Sequence, residues 1–406
     1  MNALKDYVNW KLTHADKISV AEGYPLVMEN CKKNKRMKQL ELYGNSVQDG
    51  TPTPENPIEV QSVGELVNDE ADGNFGKYKI PVVQRGINYH DYKKFNYKEQ
   101  TINGITFTPL GDGSFHLKGK LEDTTKAASY RVVIWNAIPV KAGTYHSKIH
   151  SNADIIIMFG AYKKDSKFWL NINSSSNSGN GTLSEDGYIG YCQIYVKANT
   201  TREIDDIVYP QLTLGTEDLP YEPYIEPITT NVFLNEPLRK IGDYADYVDF
   251  ANDKVFRVIK QEIMNGAESL LRMSGSYPYI AYNIGAVGYV VNGVCLSNQL
   301  QYQYGFSISR EGVNAFSVLN APTHKAARLV FRIYDNGIAI AEVSAIKSLL
   351  TEKYANGNPL IFYYGLSEAT EEPITIDLPK LNAKTTIIEV DTSLAPSNAK
   401  GKYIKK

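Results

Sequence analysis

A chain of 406 residues exceeds what one ordinary compact core accommodates, so two or three domains are expected. Hydrophobic residues make up 43%, enough to fill such cores, which excludes a disordered polymer. A formal net charge of −2 removes the basic face on which nucleic-acid binding depends, so no nucleic-acid partner is expected.

Residues 1–38 are set apart as an N-terminal anchor. Leu4, Tyr7, Val8 and Leu12 recur at helical spacing, predicting a short amphipathic helix that docks onto a neighbouring subunit or folds back on its own chain. The cationic stretch Cys31 to Lys38 follows and reads as a solvated linker face or a dock for an acidic partner. The opening MNALKDYVNWKLTH lacks the apolar stretch of a secretory signal, and no run of about 18 apolar residues is present to span a bilayer. Synthesis in a cytoplasm and no membrane partner are the expectation.

Residues 39–88 read as a proline-stiffened β linker. Its joint, GNSVQDGTPTPENPIEV from Gly44 to Val60, holds Pro52, Pro54 and Pro57, each of which fixes φ and biases the preceding residue to extended backbone. The stretch from Glu65 to Lys79 is polar and predicted irregular. Residues 89–228 read as all-β: two strands across Gly111-Asp112-Gly113, then further short runs bounded by Gly, Asn, Ser and Asp, as in a sandwich or jelly roll. Between Tyr191 and Val196 the alternation predicts Cys192, Ile194 and Val196 in a core and Tyr191, Gln193 and Tyr195 on the opposite face. Asp218 to Thr230, with Pro220, Pro223 and Pro227, is predicted to be a second rigid connector.

Residues 229–406 form a second β-rich module in this reading. A hairpin turns at Asn252-Asp253, and one helix presents Ile346, Leu349, Leu350 and Tyr354 on a face, with Ser344 as its N-cap and Gly357 and Pro359 ending it. Strands in PLIFYYGL, ITIDLPKL and KTTIIEV follow, then a peripheral basic tail. The fold class is therefore mainly β: two jelly-roll-like β-sandwich modules, a short N-terminal helical anchor and one helix near the C-terminus.

Catalytic patterns fail on inspection, and the chain is not expected to be an enzyme or to carry a cofactor. In GNSVQ, Gln48 stands where a nucleophile elbow needs its second Gly. His146 and His150 lie in a strand-like run, where four residues span about 13 Å, too far to share a metal. NDEADG, from Asn68 to Gly73, begins like a calcium loop but has Lys79 at the closing position; a structural calcium in another geometry stays open. Cys31, Cys192 and Cys295, far apart and outside any CxxC spacing, are expected as free thiols. No catalytic and no metal-binding residue is nominated.

Binding is the chemistry that remains. Twenty-nine tyrosines against 13 phenylalanines suit half-exposed, wet recognition surfaces, because the ring is apolar and the hydroxyl tolerates water. Sugars offer C–H faces to aromatic rings and hydroxyls to amide side chains. On that ground the candidate carbohydrate-binding residues are Tyr162, Trp169, Asn171, Tyr188, Tyr191, Gln193 and Tyr195, each with packing as its competing role. Trp135, inside an apolar run, is expected in the core. Tyr277, Tyr279, Tyr302 and Tyr304 of the second module read as lining a ligand or subunit contact.

GNSVQDGTPTPENPIEVQSVGE, YPQLTLGTEDLPYEPY, LNEPLRKIGDYADYVDFANDKVFRVI and TTIIEVDTSLAPSNAKGKY occur in this order from residue 39 onward. With them the chain resembles the modular minor structural, tail or fibre-like proteins of phages and prophages of Gram-positive bacteria. The resemblance implies a virion-surface component of tail, baseplate or fibre, with a carbohydrate-binding-type β-sandwich ending in the PQL…PYEPY stretch. It implies partners among other virion structural proteins and host cell-wall glycan; residues 1–38 lie outside the resemblance and are expected to supply the attachment to those virion proteins. A homo-oligomer, with a trimer favoured, is expected because weak sugar sites gain from multivalency. A purely structural connector or decoration protein of head, neck or baseplate is the alternative, and a glycan-degrading enzyme the third.

Overall fold

The computed structural model describes residues 26–29, 41–151, 154–165, 167–173, 176–273, 279–303, 313–335, 338–379, 381–383, 385–390 and 394–396. The expected helix around Leu4 to Leu12, the stretch Cys31 to Lys38 and the tail beyond Pro396 lie outside the described residues. The protein is mainly β, with one α-helix among the described residues, and its buried side chains gather into three principal cores.

The first core lies between two antiparallel sheets. A four-stranded sheet runs in the order Ala128–Val140, Gly187–Val196, Ile155–Lys163, Phe168–Ile172. The facing six-stranded sheet runs Ser178–Leu183, Gly143–His150, Ile204–Leu214, Phe115–Gly119, Ile105–Pro109, Gln100–Ile102. Ile157, Phe159, Cys192 and Ile194 of one meet Phe107, Phe115, Tyr145 and Ile149 of the other, the interdigitation of a sandwich. The strand Gln100–Ile102 joins through Asn103-Gly104, both at positive φ (46° and 79°), which is the geometry a tight hairpin turn requires. Cys192 is free and enclosed, and burial pushes its thiol up to about 12, so it is an inert packing group at neutral pH. Cys295 is likewise free and buried, whereas Cys31 lies outside the described residues.

The second core repeats the arrangement. Glu41–Tyr43, Tyr247–Asp249, Lys254–Met264, Leu360–Pro373 and Val290–Ser297 form one sheet, and Leu270–Met273, Tyr279–Ala286, Ala326–Arg332, Ala315–Ala321 and Gln301–Tyr302 the other. The helix Val343–Ala355 buries Ile346 and Leu350 against this core. Its N-cap is Glu342 rather than the expected Ser344, and no side chain caps the first turn. Its end matches expectation: Gly357 takes φ +70°, its N–H reaches Tyr354 O and the N–H of Asn358 reaches Lys353 O, the paired bonds of a Schellman cap.

A third core joins segments remote in sequence. Tyr78–Gly86 pairs on one side with Ile228–Leu234 and on the other with Thr385–Val390, to which Leu26–Glu29 adds. Residues 39–88, expected as a linker, thus contribute a central strand. The described residues of ITIDLPKL, expected as a strand, form none: Ile374, Ile376 and Leu378 pack on the third core outside any strand. Pro373 and Pro379 bracket that segment, and a proline nitrogen has no proton to give a ladder.

Both proline-rich stretches are laid onto sandwich surfaces. Val60 packs with Ile259, Ile361 and Tyr363 on the outer face of the second sandwich. Ile58 N–H donates to Asn298 O (2.8 Å) and Gln48 Nε2 to Ser297 O (2.9 Å), fixing the Gly44–Val60 joint there. Residues 218–226 lie along the first sandwich. Tyr221 packs on His150 and Tyr209, and Glu222 N–H donates to Gln211 Oε1 (3.2 Å).

Candidate functional site

The outer face of the four-stranded sheet is organised by two glycines. Phe159, Ala161, Cys192 and Ile194 point into the core, so Met158, Gly160, Tyr162, Tyr191 and Gln193 occupy the other face by alternation and register. Gly160 lies opposite Tyr191, and a Cβ there would come within 1.9 Å of the tyrosine ring. Gly190 is the extra residue of a bulge between Ile189 and Tyr191, and a Cβ on it would meet the Tyr162 ring at 2.5 Å. Each tyrosine ring therefore occupies the space above a glycine of the neighbouring strand, the two rings 6.4 Å apart at 78°.

This floor is covered by residues that are themselves exposed. Residues 134–137 bulge out of the edge strand Ala128–Val140 opposite Gly190, with Asn136 at φ +60°. The bulge lifts Trp135 over Tyr162, ring centroids 4.9 Å apart and near-perpendicular. Trp135 is 60% exposed, so its expected core placement is wrong. A run of apolar residues reads as buried only while pairing continues, and here it stops at Val133. From the opposite edge Phe168, 53% exposed, contacts Tyr162 edge-on at 5.6 Å and stacks parallel to Tyr191 at 6.4 Å. Tyr162 and Tyr191 keep only 4% and 2% exposure beneath these two rings.

Polar groups border the aromatic cluster. The Tyr191 hydroxyl donates to Asn171 Oδ1 and lies 3.3 Å from Met158 Sδ. Burial raises the pKa of Tyr191, which keeps that proton in place at neutral pH. Arg131 holds its guanidinium 4.0 Å from the centre of the Tyr191 ring, and Gln193 Nε2 donates to Ser129 Oγ at 2.7 Å.

Of the seven residues nominated from sequence, Tyr162, Asn171 and Tyr191 meet in one cluster and Gln193 lies one rung beyond. Tyr188, opposite Tyr162, and Tyr195, opposite Ile156, extend the same face in the two strand directions. Trp169 departs from it: a bulge at the edge strand leaves it packed against the core, with Lys163 Nζ 5.1 Å from its ring. Sequence reasoning missed Phe168 and Trp135, the two most exposed rings of the cluster. The signal for Trp135 was the Asn136 that follows it, a residue suited to positive φ inside an otherwise apolar strand.

Elsewhere, His146 and His150 lie on the strand Gly143–His150 and take separate partners, Asn180 Oδ1 at 2.6 Å and Gln211 Oε1 at 3.2 Å. Asp69 and Asp72 of the calcium-like loop accept from the N–H groups of Ala71 and Asn74 in local turns. Among the described residues no group of three His, Cys, Asp or Glu is arranged to hold a metal ion, and no helix is long and apolar enough to cross a membrane. Tyr302 packs on the second core 6.0 Å from Phe316, and Tyr279 on a small satellite cluster, while Tyr277 and Tyr304 lie outside the described residues. Comparison with protein-family models, curated proteins and solved structures finds no match in any of the three.

Proposed function

We propose that the protein binds carbohydrate through the outer face of its first sandwich, and that it does so as a surface component of a bacteriophage particle adsorbing to host cell-wall glycan. The observation that carries the binding reading is the pair Trp135 and Phe168, held exposed above the buried Tyr162 and Tyr191 with the Asn171 amide at their edge. Rings so fixed offer flat apolar faces to sugar C–H groups at little entropic cost, and the amide selects among hydroxyls. The phage assignment rests on the four stretches that resemble modular tail and fibre-like proteins. In this reading residues 1–38 attach the chain to other virion proteins, a trimer multiplies weak sugar sites, and no catalytic step is involved.

The test uses the whole chain against a glycan array and host-wall fractions. Trp135→Ala and Phe168→Ala should each weaken binding about tenfold or more while leaving the unfolding midpoint within a few degrees, since both rings are exposed. Wild-type protein that binds no wall fraction and no glycan would sink the proposal. One observation favours a structural reading instead: Val133 and Ile134 are also exposed beside Trp135, so the patch is apolar enough for a subunit contact. In that case Trp135→Ala would shift the oligomer measured by light scattering and leave glycan binding at background.

A further inference from the structure

None of the four strands carrying the aromatic face contains an aspartate or glutamate, although these make up 45 of the chain's 406 residues. Their two cations behave differently. Lys163 pairs with Glu185 at 2.7 Å and leans over Trp169 at the sheet edge. Arg131 is exposed, faces outward beside Gln193 in register, and its guanidinium has the Tyr191 ring as its partner, with no carboxylate paired to it among the described residues. Stacking on the ring holds the guanidinium plane in place and leaves its N–H groups at the rim for another acceptor.

Resting on the carbohydrate reading above, we infer that the ligand is an acidic saccharide whose anionic group pairs with Arg131 while a neighbouring sugar ring lies against Trp135 and Phe168. Guanidinium recognises carboxylate and phosphate alike through two parallel N–H bonds. The four strands present no acidic side chain of their own beside Arg131, and the chain's overall charge of −2 gives no long-range attraction, so the preference is local to this one side chain. Arg131 is then the residue that discriminates charged from neutral glycans, and the aromatic pair binds both.

The experiment compares oligogalacturonate with the same oligosaccharide fully methyl-esterified, and adds poly(glycerol phosphate), titrated into the whole chain at low and at moderate salt. Wild type should favour the acid over the ester by about tenfold at low salt, less as salt screens the exposed pair. Arg131→Gln should bring that ratio close to one, whatever the absolute affinities, and Arg131→Lys, which keeps charge without the planar fork, should retain part of it. Tighter binding of poly(glycerol phosphate), which has no sugar ring, than of oligogalacturonate overturns the saccharide ligand in favour of a polyol phosphate. Equal wild-type affinity for acid and ester, or an acid preference that survives in Arg131→Gln, overturns it while leaving the carbohydrate reading intact. Absence of binding to every probe and every wall fraction removes the carbohydrate reading and the inference with it.

Discussion

Adding one methyl group at Gly160 would place a carbon 1.9 Å from the Tyr191 ring, and the strand backbone beneath cannot recede without breaking its ladder. Gly160→Ala should therefore displace the ring, lower the unfolding free energy by about 1–3 kcal/mol and weaken glycan binding together, as read by thermal unfolding and titration. A variant that binds normally would show that Tyr191 does not support the face. A second prediction concerns His90, fully enclosed by Phe95, Tyr97 and Phe159, with Nε2 2.8 Å from the Tyr97 hydroxyl. Burial lowers its pKa from 6.5 to about 4. On acidification the unfolded chain takes up a proton near pH 6.5 that the folded protein refuses until about pH 4. The stabilisation is therefore complete above 6.5 and falls by about 1.4 kcal/mol per pH unit below it. From pH 6.5 to 5 this single group should remove about 2 kcal/mol. Denaturant titrations should show a flatter pH dependence for His90→Gln over that interval, and an unchanged slope would assign the acid lability to other groups.

At the scale of elements, the regular parts of the sequence were legible and the irregular ones were not. Cys192, Ile194 and Val196 alternate toward the core as their spacing indicates, because period-two pairing survives along that stretch of strand. The same rule misplaced Trp135, since a four-residue bulge depends on which residue lies opposite, and Gly190 is some fifty residues away in the chain. The glycines under the tyrosine rings were illegible for the same reason: a glycine that makes room across a sheet looks like any turn glycine until register is known. The helix stop was legible because its chemistry is local. Gly357→Ala should cost about 1 kcal/mol in unfolding free energy, the penalty for a Cβ at φ +70°. A neutral result would mean that Asn356 and Pro359 end the helix without it.

For the whole molecule, the first sandwich is an insertion between two strands that pair with each other, Tyr78–Gly86 and Ile228–Leu234, with Gln84 opposite Ile228. Among the described residues, its core is drawn from residues 87–219, apart from Ile387. A fragment spanning 87–227 should therefore fold independently, giving dispersed amide resonances and a cooperative melt; a molten spectrum would mean that the central sheet is needed to hold it. The central sheet also orders events during synthesis. Tyr78–Gly86 leaves the ribosome early, yet its second neighbour, Thr385–Val390, arrives about 300 residues later, a delay of roughly 15–60 s at ordinary elongation rates. Throughout that interval the nascent chain displays an unpaired strand edge to adjacent chains on the same message, so strand exchange between newly made copies competes with self-closure at high expression.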